Sequence, residues 1–180
     1  MPKSDEQAPT GEWKMANAKL IQMLGHFVQA WSLIESSMEV CIGKQLGLPP
    51  LETSIITSGL MFRARASILM SLLNRDPSKN REAIRILKQI QSIEDRNDIM
   101  HSVIGGSENE IWFNRRKTTK KFDSKIERYS QIRMNSLALS VSDLAGELMR
   151  SLGVSKSEYI HFFQESHNAT TSSERNLRTS

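Results

Sequence analysis

Residues 90–106 read IQSIEDRNDIMHSVIGG, a stretch in which a helical apolar pattern is interrupted by polar residues. The apolar positions that share one helix face are Ala83, Ile86, Leu87, Ile90, Ile93, Met100 and Ile104. Asn97 falls on this face where an aliphatic residue is expected, and His101 follows it one turn later. Arg96 lies at the rim of the same face. The pattern predicts that a cation, an amide and an imidazole converge at one end of a helix.

These polar residues need partners, because burying a cation, an amide or an imidazole without a hydrogen bond costs free energy. A groove, a ligand or a subunit interface can supply them. We therefore predict a symmetric dimer through the face that contains Asn97 and His101, in which the symmetry mate provides the partners. A structural alternative is that His101 ends the helix at its negative pole, while Arg96 pairs with Glu35, Glu94 or Asp95.

Helical periodicity extends over most of the remaining chain. A long amphipathic pattern covers residues 14–45 and ends at Gly47 and the Pro49-Pro50 pair. The other predicted helices cover residues 52–74, 79–103, 132–152 and 156–164, with Ser78 as the N-cap of the third helix and Gly153 at the end of the fourth. The fold class predicted from these patterns is all-α, with four to five helices.

Residues 107–130 differ from the helical segments in composition. Ile111-Trp112-Phe113 has strand preference, and the basic residues Arg115, Arg116, Lys117, Lys120 and Lys121 follow as a predicted turn. A small basic hairpin or ordered loop is therefore expected after the third helix. Residues 114–133 hold eight Lys or Arg against two acidic residues, a local excess of +6 in a chain of net charge +4. This concentration of charge favours a polyanionic partner. The aromatic residues are expected to pack beneath the basic segment rather than to offer a stacking surface.

The length and composition are typical of one globular domain. The chain has 180 residues, of which 38% are hydrophobic and 24% charged. We predict a flexible N-terminus over residues 1–12, one helical domain over 13–165, and a disordered tail over 166–180 because that tail is rich in Ser, Thr, Asn and Arg. The single cysteine, Cys41, lies in an apolar stripe and is predicted to be a buried small hydrophobe.

Several classes of function are disfavoured. The sequence has no phosphate-cradling glycine loop, no cluster of metal-ligating residues and no Ser/His/Asp arrangement, so we expect no metal and no cofactor. It also has no basic start followed by an apolar run, and no apolar segment long enough to span a bilayer. The expectation is a cytoplasmic protein without a membrane partner.

The segment Arg96-Asn97-Asp98-Ile99-Met100-His101 resembles the R-x4-6-H motif of the HEPN superfamily (higher eukaryotes and prokaryotes nucleotide-binding), in which a polar residue, often Asn, follows the Arg. The helix order over residues 14–152 is similar too, with the motif near the end of the third helix. The resemblance implies an all-α HEPN-like bundle that pairs through its motif helices, so that Arg96 and His101 of both protomers face one cleft.

The resemblance also implies a function. Catalytic HEPN proteins are metal-independent endoribonucleases of toxin–antitoxin, defence and RNA-processing systems. In this chemistry His101 would act as acid or base near neutral pH, Arg96 would hold the phosphate, and Asn97 would orient one of them. Glu35 and Asp98 would support the site from nearby. Asp98, however, adds a negative charge beside the phosphate, and the residue pattern alone favours a solvated rim charge for Glu35 over a role in the site.

The basic segment from Arg115 to Lys121 would then bind the RNA substrate by charge. An activating or neutralising protein is a further implied partner. A second interpretation stays open, in which the chain is a non-catalytic dimeric helical module that binds nucleic acid or a partner protein.

Overall fold

The fold is that of a computed structural model, which describes residues 11–93, 99, 103–106, 110–117 and 123–178. Over this part of the chain the elements are α1 (Gly11–Leu46), α2 (Pro50–Thr57), α3 (Phe62–Leu73), α4 (Arg81–Gln91), β1 (Val103–Gly106), β2 (Glu110–Lys117), β3 (Asp123–Ser130), α5 (Gln131–Ser151) and α6 (Lys156–Arg178). The protein is thus mostly helical, as predicted, and it also has a three-stranded sheet.

The chain divides into two compact units. The first unit consists of Met1–Gln29 and Ile93–Leu139, and the second of Ala30–Ser92 and Ser140–Ser180. Two of the three divisions, after Gln29 and after Leu139, fall inside helices, so α1 and α5 each contribute residues to both units. The single helical domain predicted over residues 13–165 stays a prediction.

The core of the second unit is formed by apolar side chains at helical spacing. Its fully buried members include Ile34, Met38, Cys41 and Ile42 of α1, Leu69 and Leu73 of α3, and Val141, Ala145 and Leu148 of α5. On α4 the predicted face is confirmed, because Ala83, Ile86, Leu87 and Ile90 are all buried. Cys41 is buried as predicted, and this burial raises the pKa of its thiol to about 12.

Glycines end α1 and α5 where the sequence predicts it. Gly47 has φ 66° and Gly153 has φ 67°, in the left-handed region that favours glycine. At each end the following amide turns back to a helix carbonyl, with Leu48 N donating to Gly43 O and Val154 N to Met149 O. These bonds satisfy carbonyls that a helix end otherwise leaves without partners.

The prediction of one continuous helix over residues 52–74 is wrong, because the structure has two helices there. α2 ends at Thr57 and α3 begins at Phe62. Ser58 and Gly59 form a turn in which Leu60 N donates to Thr57 O. Apolar periodicity continues across this turn, and for that reason the pattern did not reveal the break.

The third predicted helix is wrong at both ends. Its N-cap is Asn80 rather than Ser78, whose hydroxyl instead donates to Asp76 Oδ1 at 2.7 Å. α4 ends at Gln91, where Ser92 Oγ donates to Gln89 O at 2.7 Å. Farther on, Val103–Gly106 is a strand rather than the end of a helix. The β-branched Val103 and Ile104 fit a strand, whose antiparallel partner satisfies their backbone groups.

The predicted hairpin is confirmed and has a third strand beside it. The sheet is antiparallel in the order β1-β2-β3, with Phe113 paired to Ile104 on one side and to Glu127 on the other. The basic segment was predicted to be a turn, yet Arg115 to Lys117 belong to β2 and pair with Lys125 to Asp123. The pairing partner, which lies later in the chain, extends the strand through these charged residues.

α6 begins with a reciprocal capping box. Glu158 N donates to Ser155 Oγ at 3.1 Å, and Ser155 N donates to Glu158 Oε2 at 2.7 Å. The helix then runs to Arg178, beyond its predicted end near Gln164, so most of the stretch predicted to be a disordered tail is helical. Residues 156–178 contain neither Gly nor Pro, and a helix that is already nucleated extends through polar residues at little cost.

Because of this capping box, the stability of the fold depends on pH in the acid range. Bonds to the Ser155 backbone and hydroxyl, together with Lys44, lower the pKa of Glu158 from 4.5 to about 2. The stabilisation by this carboxylate is therefore complete above pH 4.5 and is lost as the pH falls toward about 2. We expect Glu158→Gln to lower the melting temperature at neutral pH, and the difference from wild type to shrink through that window.

Thermal unfolding followed by circular dichroism measures this difference. Glu52→Gln is the matched control, since Glu52 is an acidic residue in the first turn of α2. A Glu158→Gln effect that stayed constant from neutral to acid pH would contradict the assignment.

Candidate functional site

The motif residues Arg96, Asn97, Asp98 and His101 lie outside the described residues, as do Lys120 and Lys121. Their predicted roles therefore stay predictions. The structure does describe two regions that were predicted to belong to the same site. One is the surroundings of Glu35 on α1, and the other is the sheet that begins two residues after His101 in the chain.

Glu35 is held by two other helix residues. Trp31 Nε1 donates to Glu35 Oε1 at 3.0 Å, and Arg65 Nη1 lies 3.9 Å from Glu35 Oε2. The Glu35 side chain is 29% exposed and that of Arg65 only 13%. Glu35 is therefore a half-buried member of an ion pair rather than a solvated charge. Its support of an RNA site stays a prediction.

Arg65 also completes the end of α2. Its Nε and Nη2 donate to Thr57 O at 3.3 and 3.1 Å. Thr57 is buried and is the last residue of α2, where carbonyls have no partner within the helix. The Trp31 and Phe62 rings pack beside this contact with centroids 4.9 Å apart. One arginine thus joins the end of α2 to α1, which gives this cluster a structural role.

The inner face of the sheet carries an apolar cluster. Ile111, Phe113 and Tyr129 are fully buried, and the rings of Phe113 and Tyr129 meet edge to face with centroids 5.3 Å apart. Arg133, in the first turn of α5, places its guanidinium carbon 4.2 Å from the centre of the Tyr129 ring. Arg133 N also donates to Ser130 Oγ at 3.2 Å, so the last residue of β3 caps α5.

The outer face of the sheet, defined here by Glu110, Trp112, Ile126, Arg128 and Ser130, is exposed to solvent. Trp112 is 36% exposed and Ile126 54%. The Arg128 side chain is 70% exposed and lies 3.8 Å from the Glu110 carboxylate, a surface ion pair that contributes little to stability. This face thus combines an aromatic ring, an aliphatic side chain and an exposed ion pair between a cation and a carboxylate.

The structure separates two aromatics that the sequence treated together. Phe113 packs in the core as predicted, whereas Trp112 is exposed, which is the opposite of the predicted packing. A strand with one exposed face usually alternates apolar and polar residues. Ile111, Trp112 and Phe113 are all apolar, so this pattern does not show which of them faces solvent. The sequence also missed Arg128, which pairs directly with Trp112. On β3 the aliphatic Ile126 shares the exposed face with Arg128, so the usual alternation of apolar and polar residues is absent there.

The second unit contains a cavity of about 250 Å³ that the sequence did not predict. Its apolar lining includes Val40, Leu48, Val154 and Phe162. At the rim, Lys44 Nζ donates to Glu158 Oε1 at 3.1 Å, and His161 Nε2 lies 3.1 Å from Glu165 Oε1. These four rim groups are thus paired with one another, and a charged ligand would have to break those pairs.

Comparisons with family models, with curated proteins and with solved structures found no match to this chain. Within the part of the chain that the structure describes, no group of three or more His, Cys, Asp or Glu residues is arranged to hold a metal ion. Over the same residues, no helix is both long and apolar enough to cross a membrane.

Arg65 provides a test of the structural role of the Glu35 cluster. We expect Arg65→Ala to lower the free energy of unfolding by about 1–3 kcal/mol, because it removes the ion pair with Glu35 and the charged hydrogen bonds to the Thr57 carbonyl, which keeps only its bond from Leu60 N among the described residues. Arg63→Ala is the matched control, since Arg63 lies two residues earlier on α3 and is exposed. We expect that control to change stability by less than about 0.5 kcal/mol.

Chemical denaturation of both variants measures these differences. Equal stability of the two variants would show that Arg65 has no structural role. A loss of RNA cleavage by Arg65→Ala with unchanged stability would instead assign the cluster to an RNA site.

Proposed function

We propose that this protein is a metal-independent endoribonuclease of HEPN type that acts as a dimer, with Arg96 and His101 of both protomers at one composite site. The observation that carries the proposal is the exposed outer face of a sheet in the basic region of the chain, whose first strand begins two residues after His101. The Arg-x4-His segment supplies residues for cleavage, and the sheet supplies a surface for RNA.

The charge of the sheet region supports RNA as the substrate. The excess of +6 over residues 114–133 exceeds the net charge of the whole chain, so the remaining residues are acidic on balance. Basic residues of this region belong to both β2 and β3, and the antiparallel register brings these two strands side by side. Such a concentration of positive charge attracts a polyanion.

The residue types of the motif suit cleavage of RNA by its own 2′-hydroxyl group. That reaction needs a proton acceptor or donor near neutral pH, the role proposed for His101. It also needs a cation where charge builds on the phosphate, the role proposed for Arg96, whose guanidinium can bind two oxygens at once. Asn97 orients the imidazole or the phosphate. Glu35 and Asp98 are proposed to act on the site from nearby.

Exposed apolar side chains in the first unit support the proposed dimer. Ile21 and Val28 lie one heptad apart on α1 and are 67% and 41% exposed, while Ile132 and Leu139 lie one heptad apart on α5 and are 80% and 67% exposed. Residues seven positions apart share one helix face. Removing such stripes from water between two copies of the chain is favourable.

The sharpest test of the proposal is His101→Ala. We expect it to lower RNA cleavage in EDTA by ~100- to 10,000-fold, because a general acid or base typically contributes that much to a rate. The fold and the dimer should persist. Arg96→Ala should weaken both RNA binding and cleavage.

Unfolding and cleavage are to be measured on the same preparations. A rate loss below about tenfold for His101→Ala would place the chemistry elsewhere. If both variants lose stability but cleave RNA as the wild type does, Arg96 and His101 only stabilise the end of a helix. RNA binding without any cleavage by the wild-type protein would favour the non-catalytic binding module.

The basic segment gives a second test, through the salt dependence of RNA binding. We expect replacement of Arg115, Arg116, Lys120 and Lys121 by Ser to reduce the slope of log affinity against log salt concentration. The reduction should reach about 3, because each lost phosphate contact removes about 0.7 on single strands.

A control variant replaces four exposed cations of the second unit, Arg63, Arg75, Lys79 and Arg81, by Ser. It removes the same charge from the chain, so it separates a local contact from an effect of net charge. An equal reduction of slope in both variants would exclude the basic segment as a specific surface.

A further inference from the structure

Trp112 is exposed on a strand whose neighbouring residues are buried. Ile111 and Phe113 have no exposed surface, whereas Trp112 between them is 36% exposed. Backbone pairing on both sides fixes this arrangement, since β2 is the central strand. The indole ring is therefore held on the outer face of the sheet by the burial of its two neighbours.

The residues paired with Trp112 are a glycine on one neighbouring strand and an arginine on the other. On β1 its partner is Gly105, which has no side chain to cover the indole. On β3 its partner is Arg128, whose side chain is 70% exposed. Ile126, 54% exposed, belongs to the same face. An aromatic ring can stack on a nucleic-acid base, while a neighbouring cation binds the phosphate of the same strand.

We propose that Trp112 is a stacking surface for an unpaired base, so that the RNA bound by this sheet is single-stranded. The inference rests on the proposed function and narrows its substrate class. In a duplex the flat surfaces of the bases are covered by their neighbours, whereas an unpaired base can leave the stack and lie on an aromatic ring. The positive charge of residues 114–133 attracts either form of RNA, and the indole selects the single strand.

The experiment measures the affinity of full-length protein for two probes. One is a short fluorescein-labelled 2′-O-methyl RNA of mixed pyrimidines, which lacks the free hydroxyl needed for cleavage, and the other is its duplex with a complementary 2′-O-methyl strand. We expect Trp112→Ala to weaken binding of the single strand by about 5- to 150-fold. Duplex affinity and the salt slope should not change, because the indole is uncharged.

Two further variants separate stacking from folding. Trp112→Phe keeps an aromatic ring and should retain most of the affinity for the single strand. Met61→Ala removes an 83% exposed apolar side chain from the second unit and should leave both affinities unchanged. Circular dichroism of each variant reports whether the sheet and helices persist.

The outcomes are distinct. Equal weakening of single-strand and duplex binding by both Trp112 variants would make the residue a structural part of the hairpin and overturn the inference. Unchanged RNA affinity, or a change in oligomeric state alone, would also overturn it. If wild-type protein cleaves RNA in EDTA while Trp112→Ala binds the single strand normally, only this inference fails. If the wild type neither binds nor cleaves RNA, the proposed function fails as well.

Discussion

The edge-to-face contact between Phe113 and Tyr129 fixes which side of the sheet meets solvent. Side chains alternate along a strand, so burying these two rings sends Trp112 and Arg128 to the opposite face. A shift of the register by one residue would exchange the faces, burying a cation and exposing the core rings. The free-energy cost of that exchange keeps the outer face in place, and the proposed RNA surface depends on it.

Arginines have different roles in the two units. In the second unit Arg65 is nearly buried, and its donors are used by a helix-end carbonyl and by Glu35. In the first unit Arg128 is mostly exposed, and its ion pair with Glu110 is easily exchanged for another anion. Burial and partner geometry, rather than residue type, thus distinguish a structural cation from one available to a ligand.

The proposed function separates into binding and chemistry. Binding rests on the sheet, for which the strand register and the exposure of Trp112, Ile126 and Arg128 are described. Chemistry rests on Arg96, Asn97 and His101, for which the residue types and the resemblance to the HEPN motif are the support. Binding and chemistry can be tested independently. If the protein binds RNA but does not cleave it, the sheet has the proposed binding role and the motif has no catalytic role.

The sequence by itself determined the mainly helical class, the positions of Gly47 and Gly153 at helix ends, the buried face of α4 and the strand preference of Ile111-Trp112-Phe113. These features are local: helical periodicity, the left-handed conformation that glycine adopts, and strand preference can all be read within a few residues. The capping box at Ser155 and Glu158 is local too, since its two residues lie three positions apart.

Only the tertiary structure decided the break between α2 and α3, the end of α4 at Gln91, the length of β2 and the exposure of Trp112. The end of α4 is closed by the local bond from Ser92 Oγ to Gln89 O, whereas the other three features depend on partners outside the element itself. Arg65 holds the carbonyl at the end of α2, and β3 extends β2 into its basic residues. Ile111, Trp112 and Phe113 are all apolar, so the sequence does not show whether the first and third or the middle one faces the core. The contact between Phe113 and Tyr129 decides this, because it buries Phe113 and leaves Trp112 on the exposed face.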